Sequence, residues 1–190
     1  MRKKPTLLGL TGAFGSGKTT ASSFFVENGF ERITLSSFLE IALRQRSDAP
    51  ITRKALQDLG NEWRMQFGAG ILAQKALDYI SEKNIEFAVI DGIRNLSEIE
   101  VLRQQQYFSL IAVVTNRMVR FERLKKNPRR ESLTWDIFRE LDYRDLGVGE
   151  KENGLQAGLC IALADIFVDN NGSVEMFKEK LKNVLIEEYA

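Results

Sequence analysis

Apolar positions along this chain follow two alternating patterns. Four short runs are continuously apolar and rich in β-branched residues, which is typical of strands buried on both faces of a sheet. These runs cover residues 6–10, 87–90, 110–114 and 166–168, and a shorter fifth run covers 31–35. Between them, apolar residues recur at helical spacing over 19–27, 37–45, 52–66, 69–83, 96–105, 117–126, 133–141 and 173–188. The alternation predicts an α/β fold with a mostly parallel five-stranded sheet covered on both faces.

Length and charge limit the classes of protein that this chain can belong to. With 190 residues and 44% apolar content, the chain can bury one substantial core, so we predict a single domain over residues 1–190. The 27 Lys and Arg nearly balance the 26 Asp and Glu. Such a surface has no global field that attracts nucleic acid or an anionic membrane, so we expect neither as a partner.

The scarcity of cysteine and histidine restricts the available chemistry. Cys160 is the only cysteine and lies in an apolar stretch, which predicts a buried packing role in a reducing compartment. The sequence contains no histidine, so catalysis must depend on carboxylates, cations and Mg²⁺. The basic residues 1–4 precede an apolar segment that glycines soon interrupt, too short for a signal peptide or a membrane span. We expect a cytoplasmic protein.

The loop after the first predicted strand matches the pattern G-x-x-x-x-G-K-[ST], which indicates a phosphate-binding loop. Its glycines let backbone N–H groups point toward phosphates, and the following helix adds its positive end. The lysine would reach the β- and γ-phosphates, and the two threonines would place hydroxyls near Mg²⁺. A glycine-rich turn that fits by chance is the alternative. The residues concerned are Gly12, Ala13, Phe14, Gly15, Ser16, Gly17, Lys18, Thr19 and Thr20.

An acidic residue and an arginine follow the strand at 87–90. Asp91 ends this buried strand, a position suited to holding Mg²⁺ directly or through water. Arg94 is placed to grip a second phosphoryl group with its planar guanidinium. The alternative is structural: Asp91 would cap the next helix and Arg94 would pair with Glu98 on the surface.

Residues that could bind a second substrate lie between positions 36 and 64. Ser36 and Ser37 follow the fifth strand, where they would serve as helix caps or as hydroxyls for an acceptor. Four polar residues in the predicted helix 52–66 share one face, which is either solvated or used to recognise a base or sugar. The candidate substrate-binding residues are Ser36, Ser37, Arg44, Arg53, Gln57, Asn61, Arg64 and Arg94.

Two further segments carry candidate chemistry. Residues 117–144 contain nine arginines and lysines, interrupted by Asn127-Pro128, which breaks a helix. We interpret the segment as a flap that closes over phosphates, because phosphoryl transfer needs cations and exclusion of water; a charged surface helix is the alternative. Asn170 and Asn171 follow the last strand and are candidates for contacting the nucleotide base.

Together, these motifs resemble the nucleoside monophosphate kinase group of phosphate-loop proteins, specifically its deoxynucleoside-monophosphate kinase and dephospho-coenzyme A kinase-like branch. The resemblance runs along nearly all of the chain. It rests on residues 12–20, 35–37, 52–61, 91–94, 120–124, 143–145 and 164–173.

This resemblance implies a three-layer α/β/α core with an acceptor-binding arm at about 36–70 and a lid at about 123–147. It implies transfer of the γ-phosphoryl group of ATP, with Mg²⁺, to a small phosphorylated acceptor such as a (deoxy)nucleoside monophosphate, by a monomer or homodimer. Thr19 and Asp91 would hold the metal. The residues expected to act in catalysis are Lys18, Asp91, Arg94, Arg123, Arg139 and Arg144.

Two other functions remain open at this stage. A dephospho-coenzyme A kinase phosphorylates a hydroxyl and needs a base, for which an Asp soon after the serine turn is expected; the sequence offers Glu40 there and no Asp before Asp48. A nucleotide-dependent switch is the other possibility. The guanine-binding Asn/Thr-Lys-x-Asp motif of GTPases is absent from the sequence, so such a switch would prefer adenine.

Overall fold

A computed structural model describes residues 5–46, 48–126 and 133–189, with side chains up to residue 186. Its five strands form one sheet in which every neighbouring pair is parallel. The order across the sheet is β2-β3-β1-β4-β5, so the first strand lies at the centre. The strands are β1 (Thr6–Thr11), β2 (Glu31–Thr34), β3 (Phe87–Asp91), β4 (Tyr107–Val114) and β5 (Ile166–Asp169). The α/β class and the parallel sheet predicted from the sequence are confirmed.

The helices match the predicted segments, with one addition and one extension. In chain order they are α1 (Lys18–Glu27), α2 (Leu35–Arg46), α3 (Arg53–Phe67), α4 (Ile71–Lys83), α5 (Leu96–Arg103), α6 (Arg117–Lys126), α7 (Trp135–Leu146), α8 (Ala157–Ala162) and α9 (Val174–Tyr189). The short helix α8 was not predicted, because six residues are too few to show a helical period. Helix α7 continues five residues beyond the predicted end at 141 and stops at Gly147, which adopts a left-handed conformation.

Apolar residues on the two faces of the sheet build two separate cores. Successive residues of a strand point to opposite faces, so Leu7 joins one core and Leu8 the other. The first core lies beneath α2, α3, α4, α5 and α8 and contains the buried Cys160. The second lies beneath α1 and α9. The result is a three-layer α/β/α fold.

The parallel arrangement brings the loops that carry polar residues to one edge of the sheet. The segment after β1, the residues after β3 and the loop after β5 all follow the carboxyl ends of their strands. Most of α2 and α3 lies in the segment 36–70 that the resemblance assigns to an acceptor-binding arm, and that role stays a prediction. The predicted lid at 123–147 includes residues 127–132, which lie outside the described residues. None of the helices within the described part of the chain is both long and apolar enough to cross a membrane.

Candidate active site

The segment between β1 and α1 has the backbone that its glycines predict. Gly12, Gly15 and Gly17 all have positive φ values of 145°, 80° and 104°. A Cβ atom on Gly12 would lie 2.5 Å from the carbonyl oxygen of Val113 in β4, so no larger residue fits there without movement. The loop is therefore closely packed against the sheet, and α1 begins directly after it with no capping side chain on its first N–H groups.

Lys18 occupies the first position of α1 and its ammonium group folds back over the loop. The Nζ atom donates hydrogen bonds to the carbonyl oxygens of Gly12, at 2.5 Å, and Ala13, at 3.0 Å. Burial and the nearby positive charge of Arg94 lower the pKa of Lys18 from 10.5 to about 7, although the carboxylates of Asp145 and Asp91 oppose the change. A lysine held in this state would gain a strong electrostatic partner when anionic phosphates bind.

The segment after β5 packs against the phosphate loop and supports it. The Asn170 side chain donates a hydrogen bond to the carbonyl oxygen of Ser16 at 2.8 Å. Arg123 in turn donates to the carbonyl oxygens of Asn170, at 2.8 Å, and Gly172, at 3.2 Å. Asn171 accepts a hydrogen bond from the backbone N–H of Asn116. In this arrangement Asn170 contacts the phosphate loop, and Arg123 and Asn171 hold the segment after β5 in place. The predicted contacts of these residues with a base or a moving phosphoryl group stay predictions.

Asp91 at the end of β3 and Thr19 in the first turn of α1 are the two residues that the sequence predicts as ligands of Mg²⁺. Asp91 is 5% exposed, and its Oδ2 atom accepts hydrogen bonds from Arg32, at 2.5 Å, and Ser22, at 3.4 Å. Thr19 and Thr20 occupy the first turn of α1. The described residues contain no cluster of three or more acidic, His or Cys side chains that would enclose a metal. One hydroxyl and one carboxylate, completed by phosphate oxygens and water, are a donor set that fits Mg²⁺.

A narrow cavity opens next to the phosphate loop and contains the predicted acceptor residues Arg53, Gln57 and Arg94. It has a volume of about 70 Å³, much smaller than the several hundred Å³ that typical small-molecule sites enclose. Five leucines form much of the cavity wall, and Ser36 also lines the cavity. The structure thus brings together residues of α2, α3 and the turn after β3 that are far apart in sequence.

Asp145 lies between the two arginines of this cavity. Its Oδ1 atom accepts a hydrogen bond from Arg53 at 2.7 Å and pairs with Nε of Arg94 at 3.0 Å. Burial alone would raise the pKa of Asp145, but the positive charges of Arg53, Arg94 and Lys18 outweigh it and hold the pKa below its usual value. The guanidinium of Arg53 also stacks over the Phe14 ring at 4.1 Å. Asp145 therefore stays ionised, next to three cations.

Three other predicted residues have polar partners in or next to the cavity wall, and one of them, Arg64, lines the cavity itself. Arg64 is buried and donates two hydrogen bonds to Glu98, at 3.1 and 2.7 Å, so its part of the α3 face is not solvated. Asn61 donates to Glu150 at 2.6 Å. Arg144 pairs with the same Glu150 and with Asp58, both at 2.7 Å, which joins α7 to α3. These side chains stabilise the walls around the cavity.

Three predicted residues lie outside the cavity. Arg44 is exposed in the last turn of α2. Ser37 donates its hydroxyl hydrogen bond to the carbonyl oxygen of Thr34 at 2.6 Å, a local structural contact. Arg139 is exposed on α7 and pairs with Asp136 at 3.3 Å. Substrate or catalytic roles for these three require a different arrangement from the one described.

The structural alternative for Asp91 and Arg94 is not what the structure shows. Helix α5 is capped by Asn95, whose side chain accepts from the N–H of Ser97 at 2.9 Å, in a capping box with Glu98. Arg94 turns to Asp145 rather than pairing through its guanidinium with Glu98. Neither residue has the structural role of this alternative, and their roles in the site stay predictions.

Sequence reasoning missed the two aspartates on the buried face of α7. Asp142 and Asp145 share this face with Phe138 and Leu141, at helical spacing. Because the predicted helix ends at residue 141, both aspartates lie outside it and their place on this face was not recognised. Asp142 pairs with Arg120 and, at 3.0 Å, with Arg117, so cations of the basic segment are neutralised within the fold.

Arg120 connects α7 to the phosphate loop. It donates to the carbonyl oxygen of Phe14 at 2.8 Å in addition to pairing with Asp142. The Phe14 ring faces the Phe138 ring of α7 at 6.1 Å, and Phe138 also packs against Phe121 and Trp135. An aromatic cluster thereby joins the loop, α6 and α7.

The three-layer fold with a phosphate loop at the carboxyl edge of a parallel sheet is that of the phosphate-loop kinases. It is similar to shikimate kinase from Bacteroides thetaiotaomicron, with a TM-score of 0.61 and 16% identity, covering 95% of this chain and 98% of that one. It is also similar to a sugar kinase from Janibacter, with a TM-score of 0.57 and 16% identity, covering 97% and 96%. At these identities the likeness concerns the fold.

Sequence relatives identify the family. A UPF0200 protein of Methanocaldococcus jannaschii is 32% identical over 184 residues, covering 95% of this chain and 89% of the relative. One from Methanothermobacter thermautotrophicus is 30% identical over 182 residues, covering 94% and 88%. No family model matches the sequence. The chain belongs to the UPF0200 family.

Proposed function

We propose that this protein transfers the γ-phosphoryl group of Mg·ATP to a small phosphorylated acceptor. The proposal rests on one observation: the basic groups of Lys18, Arg53 and Arg94 lie where the phosphate loop meets the cavity. Arg53 stacks on Phe14 of the loop, both arginines pair with Asp145, and both lower the pKa of Lys18. Asp145 offsets only part of this positive charge. Buried like charges are unfavourable unless anions bind among them, and donor and acceptor phosphates are such anions.

Each residue then has a defined part in the transfer. Lys18 and the loop N–H groups hold the β- and γ-phosphates of ATP, while Thr19 and Asp91 hold Mg²⁺, which when bound neutralises charge on the phosphates. Arg53 and Arg94 bind the acceptor and stabilise charge during transfer. Arg123, Arg139 and Arg144, which the sequence also assigns to catalysis, would have to exchange their present partners before contacting the moving group.

Two acceptor classes fit this arrangement. A (deoxy)nucleoside monophosphate is the first candidate, as the sequence resemblance implies, with Arg94 gripping its phosphate. A phosphorylated compound that is modified at a hydroxyl, such as dephospho-coenzyme A, is the second. Asp145 favours the second class, because it supplies beside the two arginines the aspartate that is missing soon after the serine turn at β2.

The test is release of ADP from Mg·ATP by the purified protein with a panel of acceptors. The panel contains all ribo- and deoxyribonucleoside monophosphates and dephospho-coenzyme A, and Lys18→Met serves as the inactive control. We expect one acceptor class to stimulate ADP release by the natural protein and none to stimulate the variant. Binding of ATP with no stimulation by any acceptor would contradict the proposal and support a nucleotide-dependent switch.

A further inference from the structure

Gln57 and Asp145 line the cavity and carry hydrogen-bonding atoms without partners among the described residues. Nε of Arg94 in the same lining also makes no hydrogen bond, although it lies 3.0 Å from Oδ1 of Asp145. Gln57 is 5% exposed, and neither its Nε2 nor its Oε1 atom makes a hydrogen bond. Asp145 is fully buried, and its Oδ2 atom has no hydrogen-bond partner, although Oδ1 meets both arginines. Both residues line the same cavity. Leaving such groups unpaired costs on the order of 1–3 kcal/mol each, and a ligand that pairs with them would recover this free energy.

The chemistry of these atoms restricts the ligand. Oδ2 of an ionised carboxylate accepts hydrogen bonds and cannot donate, so its partner must carry a donor. An acceptor phosphate that is fully ionised has no such donor. The Gln57 amide needs one donor and one acceptor, and hydroxyl groups supply both. A hydroxyl-bearing group, rather than a second phosphate, therefore satisfies both residues.

The position of Asp145 places this hydroxyl near the reacting phosphate. Asp145 pairs at 2.7 Å with Arg53, whose guanidinium lies over the Phe14 ring of the phosphate loop at 4.1 Å, and Asp145 also interacts electrostatically with Lys18 of that loop. In such a loop the lysine lies where the β- and γ-phosphates bind. The cavity and the phosphate loop thus meet at the carboxylate. A hydroxyl bound to Asp145 would lie at the junction of the two sites.

We propose that the acceptor presents an alcohol to the cavity and that Asp145 receives the proton of the hydroxyl that becomes phosphorylated. This inference rests on the proposed function and names its substrate class. The hydroxyl oxygen forms a bond to the γ-phosphorus, its proton passes to Oδ2 of Asp145, and the bond between the γ-phosphorus and the bridging oxygen breaks. ADP leaves with that oxygen, and the product is a phosphate monoester. Gln57 orients the acceptor through a neighbouring polar group.

The first experiment identifies the bond that is formed. The natural protein is incubated with Mg·ATP and the acceptor that stimulates ADP release, and the product is examined by ³¹P NMR. A new monoester resonance, together with loss of turnover when the reacting hydroxyl is replaced by hydrogen, supports the inference. A new phosphoanhydride would overturn it while leaving the proposed phosphotransferase function intact.

A second experiment compares two aspartates of one helix. Asp142 is also fully buried on α7 and pairs with two arginines, but both of its oxygens have partners. Asp145→Asn should lower kcat by about 10²- to 10⁴-fold, as expected for loss of a general base, with the KM for ATP unchanged. Asp142→Asn is the matched control for loss of a buried charge on α7, and its kcat should fall at least about tenfold less than that of Asp145→Asn. Equal losses in the two variants would indicate that Asp145 is only structural.

Gln57→Met tests the cavity in a variant that keeps the charged groups. Because Met fills a similar volume without unpaired polar atoms, we expect the unfolding free energy of the free protein to stay equal or rise, while the KM for the acceptor rises about 10- to 100-fold. A lower unfolding free energy with an unchanged KM would overturn the inference. If no acceptor in the panel supports turnover, the proposed function fails, and a lower unfolding free energy would still refute a ligand-binding role for Gln57.

Discussion

Lys18 makes the stability of the protein depend on pH in a way that its replacement should remove. A fall in its pKa from 10.5 to about 7 means that the folded protein disfavours the charged lysine by roughly 5 kcal/mol. Between these two pH values the unfolded chain holds a proton on Lys18 that the folded chain has released. Stability therefore rises with pH across this window, by up to about 1.4 kcal/mol per pH unit from this group.

The assay compares the natural protein with Lys18→Met by urea unfolding at pH 7 and at pH 9.5. Over this interval, the natural protein should gain about 3 kcal/mol in unfolding free energy relative to the variant. Met leaves two loop carbonyl oxygens without their lysine donor, but this loss is the same at both pH values and cancels in the comparison. If the difference in unfolding free energy between the two proteins does not change with pH, the pKa of Lys18 is not lowered in the folded protein and the reasoning is refuted.

Three other substitutions test separate parts of the structure. Gly17→Ala adds a Cβ atom where the Asn170 side chain lies, at a backbone φ of 104° that alanine rarely adopts. The affinity for ATP should therefore fall at least about tenfold in a nucleotide titration. An unchanged affinity would contradict the loop geometry. Arg64→Met leaves Glu98 buried without its partner and should lower the unfolding free energy by about 3–5 kcal/mol, as measured by urea unfolding. Arg139→Ala removes an exposed side chain and should change the unfolding free energy by less than about 0.5 kcal/mol; a fall in kcat at this unchanged stability would support the catalytic role predicted for Arg139 from the sequence.

Local signals in the sequence were sufficient for the sheet and the phosphate loop. The runs that become β1, β3 and β4 are apolar on both faces, a pattern that few other structures share. The conformation of the loop depends on glycines with positive φ, which are visible as letters in the sequence. These features depend on neighbours along the chain, so they can be predicted from it.

The cavity depends instead on contacts between distant residues. Arg53 and Asp145 are 92 positions apart, and neither the ion pair between them nor the unpaired oxygen beside it has a local signature. Arg144, which the sequence predicts to act in catalysis, pairs with the distant Asp58 and with Glu150, which is six positions along the chain; its catalytic role stays a prediction. The roles of the candidate residues stay predictions, and neither their partners nor the involvement of Asp145 could be predicted from the sequence.

The attachment of α7 has a consequence for how a substrate enters. Within the described residues, neither of the two hydrophobic cores includes a residue of this helix; it is held by the aromatic cluster around Phe138 and by the arginine partners of Asp142 and Asp145. Water solvates separated ions well, so part of the free energy lost when these pairs open is recovered by hydration. Because Asp145 of α7 lines the 70 Å³ cavity, we expect displacement of this helix to widen the cavity. An incoming phosphate would compete with Asp142 and Asp145 for their arginines, so its binding would favour that displacement; the lid role of residues 123–147 stays a prediction.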